Sequence, residues 1–156
     1  MAVSIGELAP DFALEASNGK IIKLSDFRGK NIVLYFYPKD MTPGCTTQAC
    51  DFRDQHSHFS DVDAVILGVS PDPLARHEKF IEKYDLPFIL LADEENKAAE
   101  AYDVWKLKKN FGKEYMGIER STFIIDKAGK LVKEWRKVKV KGHVEEALEY
   151  IRENLS

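Results

Sequence analysis

The chain is poor in sulfur and has no long apolar run. Of its 156 residues only two are cysteines, Cys45 and Cys50. No stretch approaches the roughly 18 apolar residues needed to cross a bilayer. The start, Met1-Ala-Val-Ser-Ile-Gly-Glu, lacks both the basic segment and the apolar core of a secretory leader. These absences lead to the expectation of a cytoplasmic protein, where a permanent disulfide staple is disfavoured. The net charge is only −3, which gives no global pull toward nucleic acid or an anionic membrane. Repeats, low-complexity stretches and linkers are also missing, so one domain over 1–156 is expected. With 44% apolar and 31% charged residues, that length suffices to bury a real core. The two thiols are therefore core residues, metal ligands or working redox groups, and their surroundings must discriminate.

Apolar periodicity lays out the elements. Phe12–Glu15 and Lys20–Leu24 flank Ser17-Asn18-Gly19, a tight-hairpin signal, and Ser25 is placed as N-cap of a short turn ending at Gly29. Asn31–Tyr37 (NIVLYFY) is continuously apolar, the pattern of a strand buried on both faces. From Cys45 the period becomes helical, with Cys45, Ala49, Phe52, His56 and Phe59 on one stripe. Ala64–Ser70 is again a buried strand, and Ser70-Pro71-Asp72-Pro73 starts a helix to Tyr84, with Asp72 as N-cap and Pro73 at its first position. Phe88–Ala92 and Glu95–Tyr102 predict a strand and a helix. Ser121–Ile125 and Lys130–Val138 predict strands joined by a turn at Asp126–Gly129, and His143–Asn154 a closing helix. The order βαβαβαββα after the hairpin predicts an α/β fold with a mixed, largely parallel sheet and helices on both faces. Ligands on such sheets sit at the carboxyl ends of strands, which draws attention to the loop after Tyr37.

That loop leads to Pro43-Gly44-Cys45, and Cys45 falls in the first turn of a helix. The helix dipole and unpaired backbone N–H groups there favour a thiolate. Lowering a thiol pKa from about 8.5 to about 6 takes roughly 3.4 kcal/mol, and a helix terminus gives at most about 2 kcal/mol. A shift of that size therefore demands a second cation. Thr42 can offer a hydroxyl near the sulfur, and Gly44 allows close backbone approach. Cys50, five residues on, is rotated about 140° from Cys45 around an intact helix. A metal held by Cys45 with His56 is disfavoured, because those residues lie about 16 Å apart along a helix. The four histidines carry no functional signal.

The run from Pro38 to Cys45, Pro-x-x-x-Thr-x-x-Cys, resembles the peroxiredoxin signature. The longer YFYPKDMTPGCTTQACDFRD is similar to the bacterioferritin comigratory protein, or peroxiredoxin Q, branch, and GIERSTFIID (Gly117–Asp126) is a second block of likeness. The resemblance implies a thioredoxin-like fold with an N-terminal β-hairpin extension, and a hydroperoxide-reducing enzyme without metal, haem or flavin. It implies Cys45 as the attacking thiol, Thr42 as hydrogen-bond partner of the peroxide, and Pro38 as packing around the sulfur. Arg120 becomes the cation beside the thiolate, and Cys50 the resolving cysteine that closes a disulfide with Cys45. Thioredoxin is the implied reductant, with glutaredoxin an alternative, and a monomer the implied state.

Two other functions compete. A thioredoxin-like disulfide reductase normally carries Cys-x-x-Cys, whereas four residues intervene here. A non-catalytic redox sensor would need neither Thr42 nor Arg120. Arg53 is expected in an ion pair on the helix surface. The lysines at 106, 108, 109 and 113 are expected on a solvated loop, and those at 137, 139 and 141 as charges guarding a sheet edge. Cα atoms five apart in a helix are separated by about 8.6 Å, beyond the roughly 7 Å that a disulfide spans. Closing Cys45–Cys50 should therefore melt the turns from Gly44 to Phe52.

Overall fold

The Ser17-Asn18-Gly19 turn does join a hairpin. In the computed structural model, which describes residues 3–155, β1 (Ala13–Ala16) pairs with β2 (Ile21–Lys23), and Gly19 takes the left-handed φ of +82° that the turn requires. A 3-10 turn follows at Leu24–Phe27. Ser25 lies inside it rather than capping it, and its hydroxyl donates instead to Asp11. The remaining elements are β3 (Asn31–Phe36), α1 (Pro43–Asp54), α2 (His56–Asp61), β4 (Ala64–Ser70), α3 (Leu74–Tyr84), β5 (Ile89–Ala92), α4 (Lys97–Ala101), β6 (Trp105–Asn110), β7 (Lys113–Ile118), β8 (Ser121–Ile125), β9 (Leu131–Trp135) and α5 (His143–Asn154).

Seven strands form one sheet in the order β2-β1-β5-β4-β3-β8-β9. Its centre, β5-β4-β3, is parallel, and both flanks are antiparallel. The continuous apolar character of β3 has a direct cause. Ile32, Leu34 and Phe36 face one core, while Val33, Tyr35 and Tyr37 face the other. The first core is closed by α4 and the N-terminal residues, through Leu14, Ala98 and Tyr102. The second is closed by α1, α2, α3 and α5, through Phe52, Phe59, Phe80 and Ile151. Burying each such side chain contributes about 1.5–3 kcal/mol. Tyr35 adds a stacked contact with Phe52 at 4.7 Å between centroids, worth about 0.5–1.5 kcal/mol beyond burial. At Gly68 of β4 a Cβ would stand 2.9 Å from the Tyr35 ring, so only glycine leaves room for it.

Four expectations are corrected. The helical stripe does not run unbroken to Phe59, because the helix stops at Asp54 and restarts at His56. Phe59 stays buried, but His56 is only half-buried, and Gln48 joins the buried face instead. Helix α3 begins one residue later than predicted, with Pro73 as N-cap, since the Asp72 carboxylate is engaged by the Asp40 N–H and the Ser70 hydroxyl. The lysines at 106, 108, 109 and 113 sit on a separate hairpin, β6–β7, not on a loop. Its turn uses Phe111 and Gly112, both at positive φ. Lys137, Lys139 and Lys141 lie past the end of β9, so they guard no strand.

Candidate active site

The ladder of β3 ends for a local reason. Tyr37 still donates its N–H to the Val69 carbonyl at 3.1 Å, but Pro38 has no N–H to continue. The chain turns through Met41, which adopts φ +64°. Thr42 is the N-cap of α1 in extended backbone, and Pro43 occupies the first helical position, where a missing N–H costs nothing. Cys45 is thereby set in the first turn of α1 and is only 2% exposed.

Arg120, between β7 and β8, reaches this sulfur from the far part of the sequence. Its Nη2 donates to Cys45 Sγ at 3.3 Å and its Nη1 to Gln48 Oε1 at 2.6 Å. The cation that helix polarity alone could not replace is thus in direct contact with the thiol. Gln48 holds the guanidinium in place, one turn along the same helix face. Gly44 has a use beyond the one expected. A Cβ there would stand 3.2 Å from Arg120 Nη2, so the glycine makes space for the cation. The Arg120 charge reaches further. Burial first, and then Arg120, push His143 down to about 4, and burial followed by Arg120 also lowers Lys108.

The other sequence candidates gather less closely. The Thr42 hydroxyl donates to the Lys39 carbonyl at 2.9 Å, leaving its oxygen lone pairs available. Pro38 is half-buried at the strand end. Cys50 is half-buried and, like Cys45, is a free thiol. Arg53 donates to Asp54 and to the Tyr84 carbonyl, which ties the end of α1 to α3 and agrees with a structural role. An open groove of about 550 Å³ lies beside α1, lined by Pro43, Gly44, Thr47, Asp51 and Glu145 among others. In it the Asp51 carboxyl is pushed up by burial and by the neighbouring Asp54 and Glu145.

Two sets of residues escaped the sequence analysis. Around the sulfur, Gln48 Nε2 and the Tyr35 hydroxyl are buried without a hydrogen-bond partner among the described residues. Burial above all keeps Tyr35 protonated far past the usual tyrosine range. Beneath the loop, Asp40 is fully buried. Its N–H donates to Asp72 at 2.7 Å and its carbonyl accepts from Arg76 at 3.2 Å. Its carboxylate accepts from the Tyr37 hydroxyl at 2.5 Å and faces His77 Nδ1 at 2.6 Å. The other ring nitrogen of His77 meets the Leu91 carbonyl at 2.9 Å. The sequence signal was slight, an acidic residue between Lys39 and Met41 in a turn bounded by Pro38 and Pro43.

Comparison with known proteins shows the family and the fold. Residues 5–134 match the AhpC/TSA family. Peroxiredoxin Bcp of Bacillus subtilis is 67% identical over 153 residues, covering 98% of each chain. Peroxiredoxin Bcp of Escherichia coli is 39% identical over 149 residues, 96% of each. Among solved structures, a mutant of PrxQ from Xylella fastidiosa superposes with a TM-score of 0.94 at 36% identity, over 100% of this chain and 99% of that one. The bacterioferritin comigratory protein of Xanthomonas campestris, described for its alkyl peroxide reduction activity, gives 0.91 at 38% identity, over 99% and 98%. The described strands and helices thus share the thioredoxin-like fold of peroxiredoxins.

Proposed function

The chain belongs to the AhpC/TSA family, as a peroxiredoxin of the Bcp/PrxQ kind, and from that premise we propose that it reduces hydroperoxides at Cys45 and recycles through Cys50. The observation that carries the reading is the contact of Arg120 with Cys45 Sγ, steadied by Gln48. The thiolate attacks one peroxide oxygen and the O–O bond breaks. That oxygen stays on sulfur as a sulfenic acid, and the other leaves as water or an alcohol after taking up a proton. In this reading Arg120 stabilises the charge that moves from sulfur to the leaving oxygen, and the Thr42 oxygen accepts the peroxide O–H. Pro38 packs at the strand end and limits water around the sulfur. Cys50 then attacks the Cys45 sulfur, water departs and a disulfide forms, which an external dithiol reduces.

Both cysteines lie on α1, which supports a single chain as the working unit. Thioredoxin is the dithiol this reading assigns, in the cytoplasm; no helix among the described residues is long and apolar enough to cross a membrane.

The test pairs two mutants. Cys45→Ser abolishes peroxide consumption, because an alcohol cannot supply the thiolate. Cys50→Ser is oxidised once, stalls as the Cys45 sulfenic acid and over-oxidises with excess peroxide. Mass spectrometry after one equivalent of peroxide, together with a thioredoxin-coupled assay, separates them. Equal turnover in both mutants would remove the assigned roles.

A further inference from the structure

We infer that His77 and Asp40 are positioning residues for the peroxide step, an imidazolium–carboxylate pair that fixes the Pro38–Thr42 loop beneath Cys45. The argument rests on hydrogen-bond inventory. The Leu91 carbonyl can only accept, so His77 Nε2 carries a proton. Nδ1 stands 2.6 Å from Asp40 Oδ2, and a carboxylate oxygen also only accepts. A neutral ring would set two acceptors against each other, so a proton must lie between them. The Tyr37 hydroxyl donates to the other Asp40 oxygen at 2.5 Å. A hydroxyl donating to the carboxyl group favours the anion, which leaves the proton on Nδ1.

Asp72 lies close enough to complete a three-residue cluster of possible metal ligands. The spacing argues otherwise. Donors on a tetrahedral ion with bonds near 2.0–2.1 Å stand about 3.3 Å apart, whereas the His77–Asp40 separation is that of a hydrogen bond. Asp72 is likewise engaged, by the Asp40 N–H, the Ser70 hydroxyl and Arg76.

The pair thus joins the loop to α3 and, through Leu91, to β5. Pro38 and Thr42 each lie two residues from Asp40, so the pair sets where they meet an incoming peroxide. It does not touch Cys45 or Arg120, and its loss should leave the thiolate itself unchanged. This inference rests on the peroxidase reading for its consequence, although not for the proton itself.

The experiment compares His77→Leu and Asp40→Asn with the wild type in neutral buffer. The amide introduced by Asp40→Asn keeps every bond, since its oxygen accepts from Tyr37 and its NH2 donates to Nδ1 of a neutral ring. Sulfenic acid formation by hydrogen peroxide is expected to fall ten- to a hundredfold in His77→Leu and to stay within about threefold of wild type in Asp40→Asn, an effect of the size assigned to positioning. Alkylation of Cys45 by iodoacetamide should be unchanged in both. Proton–nitrogen NMR should show a far-downfield proton on His77 Nδ1 in the wild type and none in Asp40→Asn. Parallel loss of alkylation and peroxide rates in His77→Leu, or an Asp40→Asn as slow as His77→Leu, would overturn the inference. If His77→Leu does not fold, an unprotonated Nδ1 in the wild type overturns it alone. Failure of the wild type to form sulfenic acid would instead sink the peroxidase reading and leave the NMR result to decide the pair.

Discussion

Upstream of Thr42 the chain is fastened by side chains. Asp40 alone engages Tyr37, Asp72, Arg76 and His77, all from other parts of the fold or the strand just before it. Downstream, residues 44–50 are held by helical backbone bonds, by Arg120 and by burial of Cys45, Gln48 and Ala49, while the aromatic packing begins at Phe52, which stacks on Tyr35 and meets Phe59 and Phe88. The two stretches are adjacent in sequence, and the proposed cycle asks the first to stay tied down and the second to release. A two-step thiol cycle needs both properties. On the proposed cycle the peroxide meets a fixed pocket, and the sulfur afterwards leaves it to reach Cys50.

The sharpest way to break this comparison is amide hydrogen exchange on the oxidised protein. With the Cys45–Cys50 bond closed, protection from Gly44 to Phe52 should fall about a thousandfold, or about 4 kcal/mol of local stability. Protection of Asp40, Met41 and residues after Phe52 should hold. Equal loss on both sides of Thr42 would mean that the buried network is no anchor.

Next in size is Arg120→Met. Removing the cation in contact with the sulfur should slow Cys45 oxidation about 10²–10³-fold, the usual cost of losing a transition-state donor. The comparison must be made at a pH where the thiol is fully ionised in both proteins. If the deficit vanished there, Arg120 would serve ionisation and not the peroxide step.

The smallest effect distinguishes a buried histidine that serves stability alone. His143, hydrogen-bonded to Thr122 and edge-on to Trp135, is held down to about 4 from 6.5, by burial first and then by Arg120. The unfolded chain therefore binds this proton more readily between those values. Stability is fully present above pH 6.5 and declines as pH falls toward 4, by about 3 kcal/mol at most. Urea melts across this range should show a flatter decline for His143→Gln, with the rate of Cys45 oxidation at pH 7 unchanged. An identical decline in both proteins would locate the acid sensitivity elsewhere.

What was legible in the sequence depended on how far each interaction reached. Strands β3, β4 and β8 are buried on both faces, so their composition announced them. The likeness around Cys45 and Arg120 pointed to two residues that the fold brings within 3.3 Å. The β6–β7 hairpin was not legible, because it stands apart from the main sheet. Leu107, Tyr115 and Met116 are exposed on it, so no inward face imposes an alternating pattern. The break at Gln55 was masked by the seven-residue spacing of Phe52 and Phe59, which an unbroken helix would also satisfy. Gln48, Asp40 and His77 matter through partners 72, 32 and 37 residues distant. Such bonds leave no periodic trace.

The sheet order also bears on the birth of the protein on the ribosome. Cys45 is made early, but Arg120, 75 residues later, takes its place only once β8 lines up antiparallel to β3. Until then Cys45 lacks the guanidinium that the finished fold sets 3.3 Å from its sulfur. The contact between the thiol and its cation is therefore completed by the pairing of β8 with β3 across the central sheet.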